Sequence, residues 1–316
     1  MFNLLRLIQN ENMKIYLRPA TWVMFGILIT LLLIVGLVTK FLLGDATNEN
    51  WQEAVIAQNV QNQMIIDEGG MPSAALDHYQ REIVLNEYRI EHDIPPVETK
   101  SFWGYMLSTV NLISVVTMFT IIVAAGIVAG EFTWGTIKLL LIRPASRSKI
   151  LLSKYLATFI FAISMLVGLV IFAMGIGALL FGVSTFTQPH LIFEAGQVVE
   201  RNMFSHLFML YSLSSVELLM MVTFAFMIST IFRSSSLAIG LALFLMFTGS
   251  QLVFILSQYE WVKYILFANT YLTQYVEGTP LVEGMTMPFS IMMLAIYFII
   301  FNVLSWVIFQ KRDVAA

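Results

Sequence analysis

Long runs of apolar residues alternate with short polar segments along this chain, and they predict six membrane-spanning helices. The predicted spans cover residues 22–43, 102–129, 150–182, 206–232, 237–257 and 288–309. A helix of about 20 apolar residues is long enough to cross a hydrocarbon core of about 30 Å. The pattern therefore predicts an all-α polytopic membrane protein.

The longest polar segment, residues 44–101, follows the first predicted span and holds eleven acidic residues against three basic ones. Asn50 followed by Glu53 is a helix start, and Gly69 with Gly70 is a helix stop. A second helix starting near Pro72 completes the pattern. We expect an extracellular helical hairpin here, whose acids are either a solvated surface or an attraction for a cationic substrate.

The other connecting segments are shorter. Residues 1–21 predict an interfacial helix that ends at a proline. We expect an outer loop at residues 183–205, an outer amphipathic segment at residues 258–287 and a cytosolic tail at residues 310–316.

The distribution of charge predicts the orientation. Short loops rich in Lys and Arg remain on the cytoplasmic side of a membrane. With both termini inside, eleven of the seventeen basic residues fall on the cytosolic side. The composition agrees with a membrane protein, because 58% of residues are apolar and 12% are charged, against averages of about 45–50% and about 25% in soluble domains.

The segment 130–149, between the second and third predicted spans, concentrates basic and large apolar residues. Phe132, Trp134 and Ile137 give it an apolar body, and Pro144 ends any helix. One interpretation is an interfacial helix lying among lipid headgroups. The other is a docking helix for a cytosolic partner, and the residues alone do not separate the two.

A second candidate site consists of polar residues inside the predicted spans. Glu217 lies deep in the fourth span, where a carboxylate is costly and needs a partner, water or a proton. In the second span, Asn111, Ser114 and Thr117 recur at every third residue. We interpret these four residues as a possible translocation path, with structural hydrogen bonding inside the helix bundle as the alternative.

Several kinds of chemistry have no motif in this sequence. The chain has no cysteine, which excludes disulfides, thiol catalysis and Cys-ligated zinc. It has no phosphate-binding G-x-x-x-x-G-K-[ST] loop and no H-E-x-x-H motif, and its four histidines are scattered. We therefore expect neither a metal site, nor a bound cofactor, nor enzymatic activity in this chain.

Four sequence motifs resemble those of permease subunits of type-2 ABC exporters, in particular bacterial permeases of the bacitracin-resistance and sodium-efflux kind. The most specific is Gly130-Glu131-Phe132-x-x-Gly135-Thr136-Ile137, followed by Leu140-Leu141-x-Arg143-Pro144-x-Ser146-Arg147 and Lys154. The others are Asn10-Glu11-x-x-Lys14 with Arg18 and Trp22, Phe232-Arg233-Ser234, and Phe309-Gln310-Lys311-Arg312-Asp313. The predicted outer hairpin is longer than the minimal family pattern.

The resemblance implies a division of labour between subunits. Two permease chains, identical or different, would pair with two cytosolic ATP-binding subunits that hold ATP and magnesium. The family's location would be the bacterial cytoplasmic membrane, among lipids and without a nucleic-acid partner. The residues it assigns to docking on the ATPase are Glu131, Phe132, Trp134, Thr136, Ile137, Arg143 and Arg147. The substrate would be a peptide antibiotic, a lipid-like molecule or an ion moving out of the cell.

Two other functions are compatible with the residues. One is a secondary transporter or channel that operates through Glu217 and needs no nucleotide. The other is a membrane module without transport activity, whose acidic hairpin binds an extracellular partner.

Overall fold

The structure, a computed structural model, describes residues 4–43, 50–69, 73–137, 145–183, 189–194, 196–278, 280, 282 and 284–311. Within these residues, six helices are long and apolar enough to cross a membrane. They are span 1 (Pro19–Leu42), span 2 (Phe102–Thr133), span 3 (Arg147–Phe181), span 4 (Met203–Ile231), span 5 (Ser235–Leu256) and span 6 (Met287–Lys311). The protein is therefore a helical, multi-pass membrane protein.

Shorter elements connect the spans. The α-helices outside the spans are α1 (Leu4–Tyr16), α2 (Trp51–Glu68), α3 (Ser73–Glu91), α4 (Leu266–Thr270) and α5 (Gln274–Glu277). A 3₁₀ turn covers Glu260–Tyr264. Strands β1 (Pro189–Glu194) and β2 (Gln197–Asn202) form an antiparallel hairpin in which Pro189 pairs with Asn202 and Glu194 pairs with Gln197.

The six long helices run alternately in opposite directions, so the elements that connect them lie at the two ends of the helix bundle. Helix α1, the described ends of the segment between spans 2 and 3 (residues 134–137 and 145–146), and the end of span 6 share one face, which we call the terminal face. The helical hairpin α2–α3, the β-hairpin and the elements between spans 5 and 6 share the other, which we call the hairpin face. The β-hairpin was not predicted from the sequence, where this region is an outer loop.

Spans 2 and 4 form the centre of the bundle. In their most apolar 18-residue windows, 56% and 67% of residues are buried, compared with 17–33% in the other spans. Ala125 and Ala129 of span 2 are completely buried, and small residues allow helices to approach closely. The hydroxyl of Ser229 in span 4 accepts hydrogen bonds from the amides of Val128 and Ala129 at 3.1 and 3.0 Å. The backbones of these two helices are thus in close contact near the terminal face.

Two spans depart from regular α-helix towards the hairpin face. Span 1 ends in a π-helical turn, Val38–Leu42. Span 2 consists of two helical pieces, Phe102–Val110 and Ile113–Thr133, with a turn at Asn111 and Leu112. The first piece is anchored by Trp103 and Tyr105, which are completely buried, and the Tyr105 hydroxyl donates to the Leu32 carbonyl at 3.0 Å.

Candidate functional site at the terminal face

A buried cluster of four charged residues lies at the terminal face, which we call the ion-pair cluster: Glu11, Lys14, Glu131 and Lys154. The Lys154 ammonium lies 2.8 Å from a carboxylate oxygen of Glu11 and 2.8 Å from one of Glu131. Lys14 completes the cluster at 2.9 Å from Glu11 and 3.0 Å from Glu131. Two carboxylates and two ammonium groups balance, so the cluster has no formal net charge.

The cluster connects three elements that are distant in sequence. Glu11 and Lys14 lie one turn apart on α1, Glu131 lies in the last turn of span 2, and Lys154 lies near the start of span 3. Glu131 and Lys154 therefore flank the segment that joins spans 2 and 3. The segment is fixed to α1 and to the bundle at both of its ends.

Burial makes this cluster strongly interacting. The Lys154 side chain is 1% exposed and that of Glu11 is 6% exposed, so neither charge has bulk water as an alternative partner. Removing one partner of such a pair leaves an uncompensated buried charge, which is more costly than losing the contact alone. Glu131 lies in the last turn of its helix, where the dipole disfavours an anion, and the two ammonium groups offset this.

Lys14 is the more accessible cation, with a side chain that is 40% exposed. Burial opposes its charge, but the carboxylates of Glu11 and Glu131 outweigh burial and raise the pKa of Lys14 above its ordinary value of 10.5. Lys14 therefore remains charged at neutral pH. The Thr136 hydroxyl donates to the second carboxylate oxygen of Glu131, which brings the segment after span 2 back onto the cluster.

The amphipathic character of α1 explains how its charges enter the bundle. Leu7, Glu11 and Ile15 form its buried stripe at four-residue intervals, and residues four apart share one face of a helix. On span 3, Lys154 falls on the buried face with Leu151 and Ala157. Glu11 and Lys154 thus lie on core-facing positions, where the opposite charges of the cluster compensate them.

The docking residues suggested by the resemblance have different surroundings. Glu131 is 8% exposed and belongs to the ion-pair cluster. Ile137 is 6% exposed and packs with Val128, Leu151 and others in an apolar cluster against which Phe132 also packs. Trp134 is 62% exposed.

Two of these residues contact other elements of the terminal face. The guanidinium of Arg18 lies 4.9 Å from the centre of the Trp134 ring, within the range of a cation–π contact. Arg147 donates to the Gln310 carbonyl at the end of span 6, at 3.0 Å. Arg143 lies outside the residues that the structure describes.

Among the four intramembrane candidates, the hydrogen bonds of the described residues join Ser114 to Asn111 and do not link either of them to Thr117 or Glu217. Thr117 is buried, and its hydroxyl donates to the Ile113 carbonyl at 2.9 Å. Ser114 is exposed and donates to the Asn111 carbonyl at the break in span 2, at 2.7 Å. Glu217 is partly buried in span 4, and its carboxyl group makes no hydrogen bond or ion pair with the described residues. Within that part of the chain, no three His, Cys, Asp or Glu residues are grouped as metal ligands.

The ion-pair cluster is the feature that sequence reasoning missed. The sequence presents Lys14 and Lys154 as cytosolic-side charges and as motif residues of the resemblance, and Glu131 as a motif and docking residue, without indicating that they contact one another. The sequence signal that could have revealed the cluster is the helical spacing of Leu151, Lys154 and Thr158, which places the lysine on the buried face of the helix. A lysine on an apolar stripe predicts a buried carboxylate partner, and sequence alone does not indicate which one.

The helices define the class of this protein as a multi-pass membrane protein, and the comparisons define its family. The chain belongs to the family described as "Protein of unknown function (DUF2705)", whose model matches residues 54–315. It is 48% identical over 316 residues to the "Uncharacterized protein YhcI" of Bacillus subtilis (strain 168), covering 99% of this chain and 100% of that one. It is 34% identical over 218 residues to the "Uncharacterized membrane protein YdbK" of the same organism, covering 68% and 84%.

Proposed function

We propose that this chain is the permease subunit of a type-2 ABC exporter in a bacterial cytoplasmic membrane, with the terminal face in the cytosol. A separate ATP-binding subunit would hydrolyse ATP with magnesium, and this chain would move a peptide antibiotic, a lipid-like molecule or an ion outwards. The observation that carries the proposal is the ion-pair cluster, which fixes both ends of the segment between spans 2 and 3 to the bundle.

A segment that transmits force from a partner must be rigidly attached to the helices that it moves. The Lys154 ammonium bonds to Glu131 before the segment and lies on span 3 after it. The same ammonium bonds to Glu11 on α1. A displacement of the segment would therefore move spans 2 and 3 and α1 together. It would not be confined to the connecting segment itself.

The proposed contact surface with the ATP-binding subunit centres on Trp134. This ring is 62% exposed beside the last turn of span 2, and large aromatic residues dominate the energetics of protein interfaces. Phe132 packs partly against the apolar cluster beneath it. In this proposal Glu131 positions the segment through the ion-pair cluster, and Trp134 inserts into the partner.

Closure of the ATP-binding subunits would shift the bundle between two conformations. A partner changes such an equilibrium only by the difference in its affinity for the two states. Spans 2 and 4 pack closely through Ala129 and Ser229 at the terminal face. A movement of span 2 would therefore be passed directly to span 4, which carries Glu217. The second permease chain, identical or different, would complete the path.

Isolation of the tagged full-length chain from its native membrane, with identification of its partners, tests the proposal. We expect the wild type to bring down a subunit with a phosphate-binding loop, and Trp134→Ala to lose it. Phe132→Ala/Trp134→Ala should lose it as well. The matched control is Trp261→Ala, which removes a 54% exposed tryptophan at the hairpin face and should retain the partner. Loss of the partner in both Trp134→Ala and Trp261→Ala would contradict the proposed contact. Retention of the partner in both variants would contradict it as well.

The surroundings of Glu217 favour a second candidate, a secondary transporter or channel. This carboxyl group has no hydrogen-bond or ion-pair partner among the described residues, and ionisable residues at such depth are commonly functional. This alternative requires transport by the purified chain without nucleotide, abolished in Glu217→Gln. The exporter proposal requires that transport depend on the ATP-binding subunit.

A further inference from the structure

A cavity of about 350 Å³ opens at the hairpin face between α3 and β1. Its polar lining comprises His78, Arg81, Glu82, Arg89 and His190, and apolar residues of β1, among them Phe193, provide much of the remainder. This volume lies at the lower end of the range for small-molecule sites, about 300–1,000 Å³. No part of the proposed function uses this cavity.

The cavity collects positive charge from an acidic segment. Only three basic residues occur among residues 44–101, against eleven acidic ones, and two of the three, Arg81 and Arg89, line it. An acidic surface that served only solvation would scatter its few cations. The two arginines share one face of α3 with His78 and Glu82, and this face meets His190 of β1 across the cavity.

Arg89 is the available cation. Within the described residues its guanidinium makes no hydrogen bond and no ion pair, whereas Arg81 is already bonded to Asp77 at 2.6 Å. Burial lowers the pKa of Arg89, with Glu82 opposing that change, and an arginine remains protonated in proteins. A half-buried guanidinium therefore offers its donors to the cavity without a carboxylate that bonds it.

The wall opposite α3 holds a buried histidine that is influenced by two guanidinium groups. Burial, the ring of His206, and the guanidinium groups of Arg89 and Arg201 lower the pKa of His190 to about 3. His190 is thus neutral at physiological pH and adds no charge of its own. Burial is the main cause of this pKa shift, and the two nearby guanidinium groups, which also contribute to it, favour an anion in the adjacent space.

The cavity also lies next to the first turn of span 4. The His190 ring stacks on that of His206, with ring centres 3.7 Å apart, and His206 is in the first turn of span 4. Leu85, the apolar residues of β1, and Val276 and Gly278 at the end of α5 complete the lining. An occupant held there would have an anionic group near the arginines and an apolar body against the strand.

We propose that this cavity binds a small amphiphilic anion, whose phosphate or carboxylate group is held by Arg89 and assisted by Arg81. The guanidinium fork matches the geometry of both groups. Arg81 keeps donors available, because only one nitrogen contacts Asp77, and its guanidinium lies 5.8 Å from the centre of the Phe193 ring. The oxyanion belongs either to a lipid headgroup or to a soluble compound. The site is independent of any ATP-binding subunit.

Calorimetric titration of the full-length chain in an uncharged detergent tests this site. The probes are dihexanoyl phosphatidylglycerol, inorganic phosphate and, as the neutral comparison, dihexanoyl phosphatidylcholine. We expect saturable binding of phosphatidylglycerol if the source is a headgroup, or of phosphate if it is soluble. Arg89→Gln should weaken this binding roughly tenfold or more, because hydrogen bonds to charged groups are among the strong ones.

Two further variants separate loss of the site from loss of the fold. Arg6→Gln removes the same charge from an exposed position on α1 at the terminal face and should leave binding unchanged. Glu82→Gln removes the carboxylate that competes for Arg89 and should tighten binding, which a disrupted fold cannot do. Equal binding of phosphatidylcholine, equal binding by Arg89→Gln and Arg6→Gln, or no saturable binding of either anionic probe would overturn the proposal.

Discussion

Replacing Lys154 with methionine tests the energetics of the ion-pair cluster, because methionine preserves most of the side-chain length and removes the charge. At 2.8 Å and an effective dielectric constant of about 20, each of the two carboxylate contacts of Lys154 is worth roughly 6 kcal/mol of attraction. The desolvation of a buried ion offsets several kcal/mol of this. In the variant, however, the carboxylates of Glu11 and Glu131 remain buried and still carry their desolvation cost. Only the ammonium group of the partly exposed Lys14 is left to balance their two negative charges.

We therefore expect Lys154→Met to lower the free energy of unfolding by about 3–5 kcal/mol, the usual cost of breaking a buried ion pair. Titration with sodium dodecyl sulfate, followed by the fluorescence of the six tryptophans, measures this quantity. The matched control is Lys149→Met, which makes the same substitution at an exposed position five residues earlier on span 3. It should change the free energy of unfolding by no more than about 0.5 kcal/mol.

A double variant checks that charge imbalance is the cause. Glu11→Gln/Lys154→Met leaves Glu131 bonded to Lys14 at 3.0 Å and restores the balance of the cluster. Its cost should be smaller than the sum of the two single costs, by about 0.5–3 kcal/mol. If Lys154→Met costs no more than Lys149→Met, or if the two single costs simply add, the cluster does not stabilise the terminal face in the way described.

Two further predictions concern stability. A methyl group at Gly249 would overlap the Phe267 ring, so Gly249→Ala should cost about 1–3 kcal/mol; Gly240→Ala in the same helix meets nothing within 4 Å and should be neutral or stabilising by up to about 1 kcal/mol. Because the pKa of Lys14 is raised in the folded protein, its contribution to stability is complete below pH 10.5 and is lost as the pH rises through the folded value. Between about pH 9 and about pH 12 the wild type should therefore lose more unfolding free energy than Lys14→Met; equal losses would contradict the assigned contacts of Lys14.

The sequence predicts six long apolar helices, and the described residues contain six. This feature is predictable because a lipid bilayer imposes a minimum length of apolar helix, which can be read directly from the sequence. The six described spans begin and end within about four residues of the predicted limits. The break in span 2 at Asn111 and the π turn at the end of span 1 have no comparable signal in the sequence. The β-hairpin had a weak signal, a short run of apolar residues on either side of Gly196, whose φ of +85° suits glycine.

The candidate sites depend on contacts between residues far apart in sequence, which periodicity does not specify. Lys154 meets Glu11 across 143 positions, and the cavity at the hairpin face brings Arg89 next to His190. Each residue carries some indication of its surroundings, such as a charge on an apolar stripe. The pairing follows only from the packing of the helices.

The central claim is that this chain works with an ATP-hydrolysing partner. The most direct measurement is ATP hydrolysis by the material that co-purifies with the tagged chain from its native membrane, for the wild type and for Trp134→Ala at equal amounts of chain. The account predicts hydrolysis with the wild type, little with Trp134→Ala, and wild-type levels with Trp261→Ala. Absence of hydrolysis from wild-type material that retains its partners and its fold would contradict the exporter proposal and leave transport through Glu217 as the function to test.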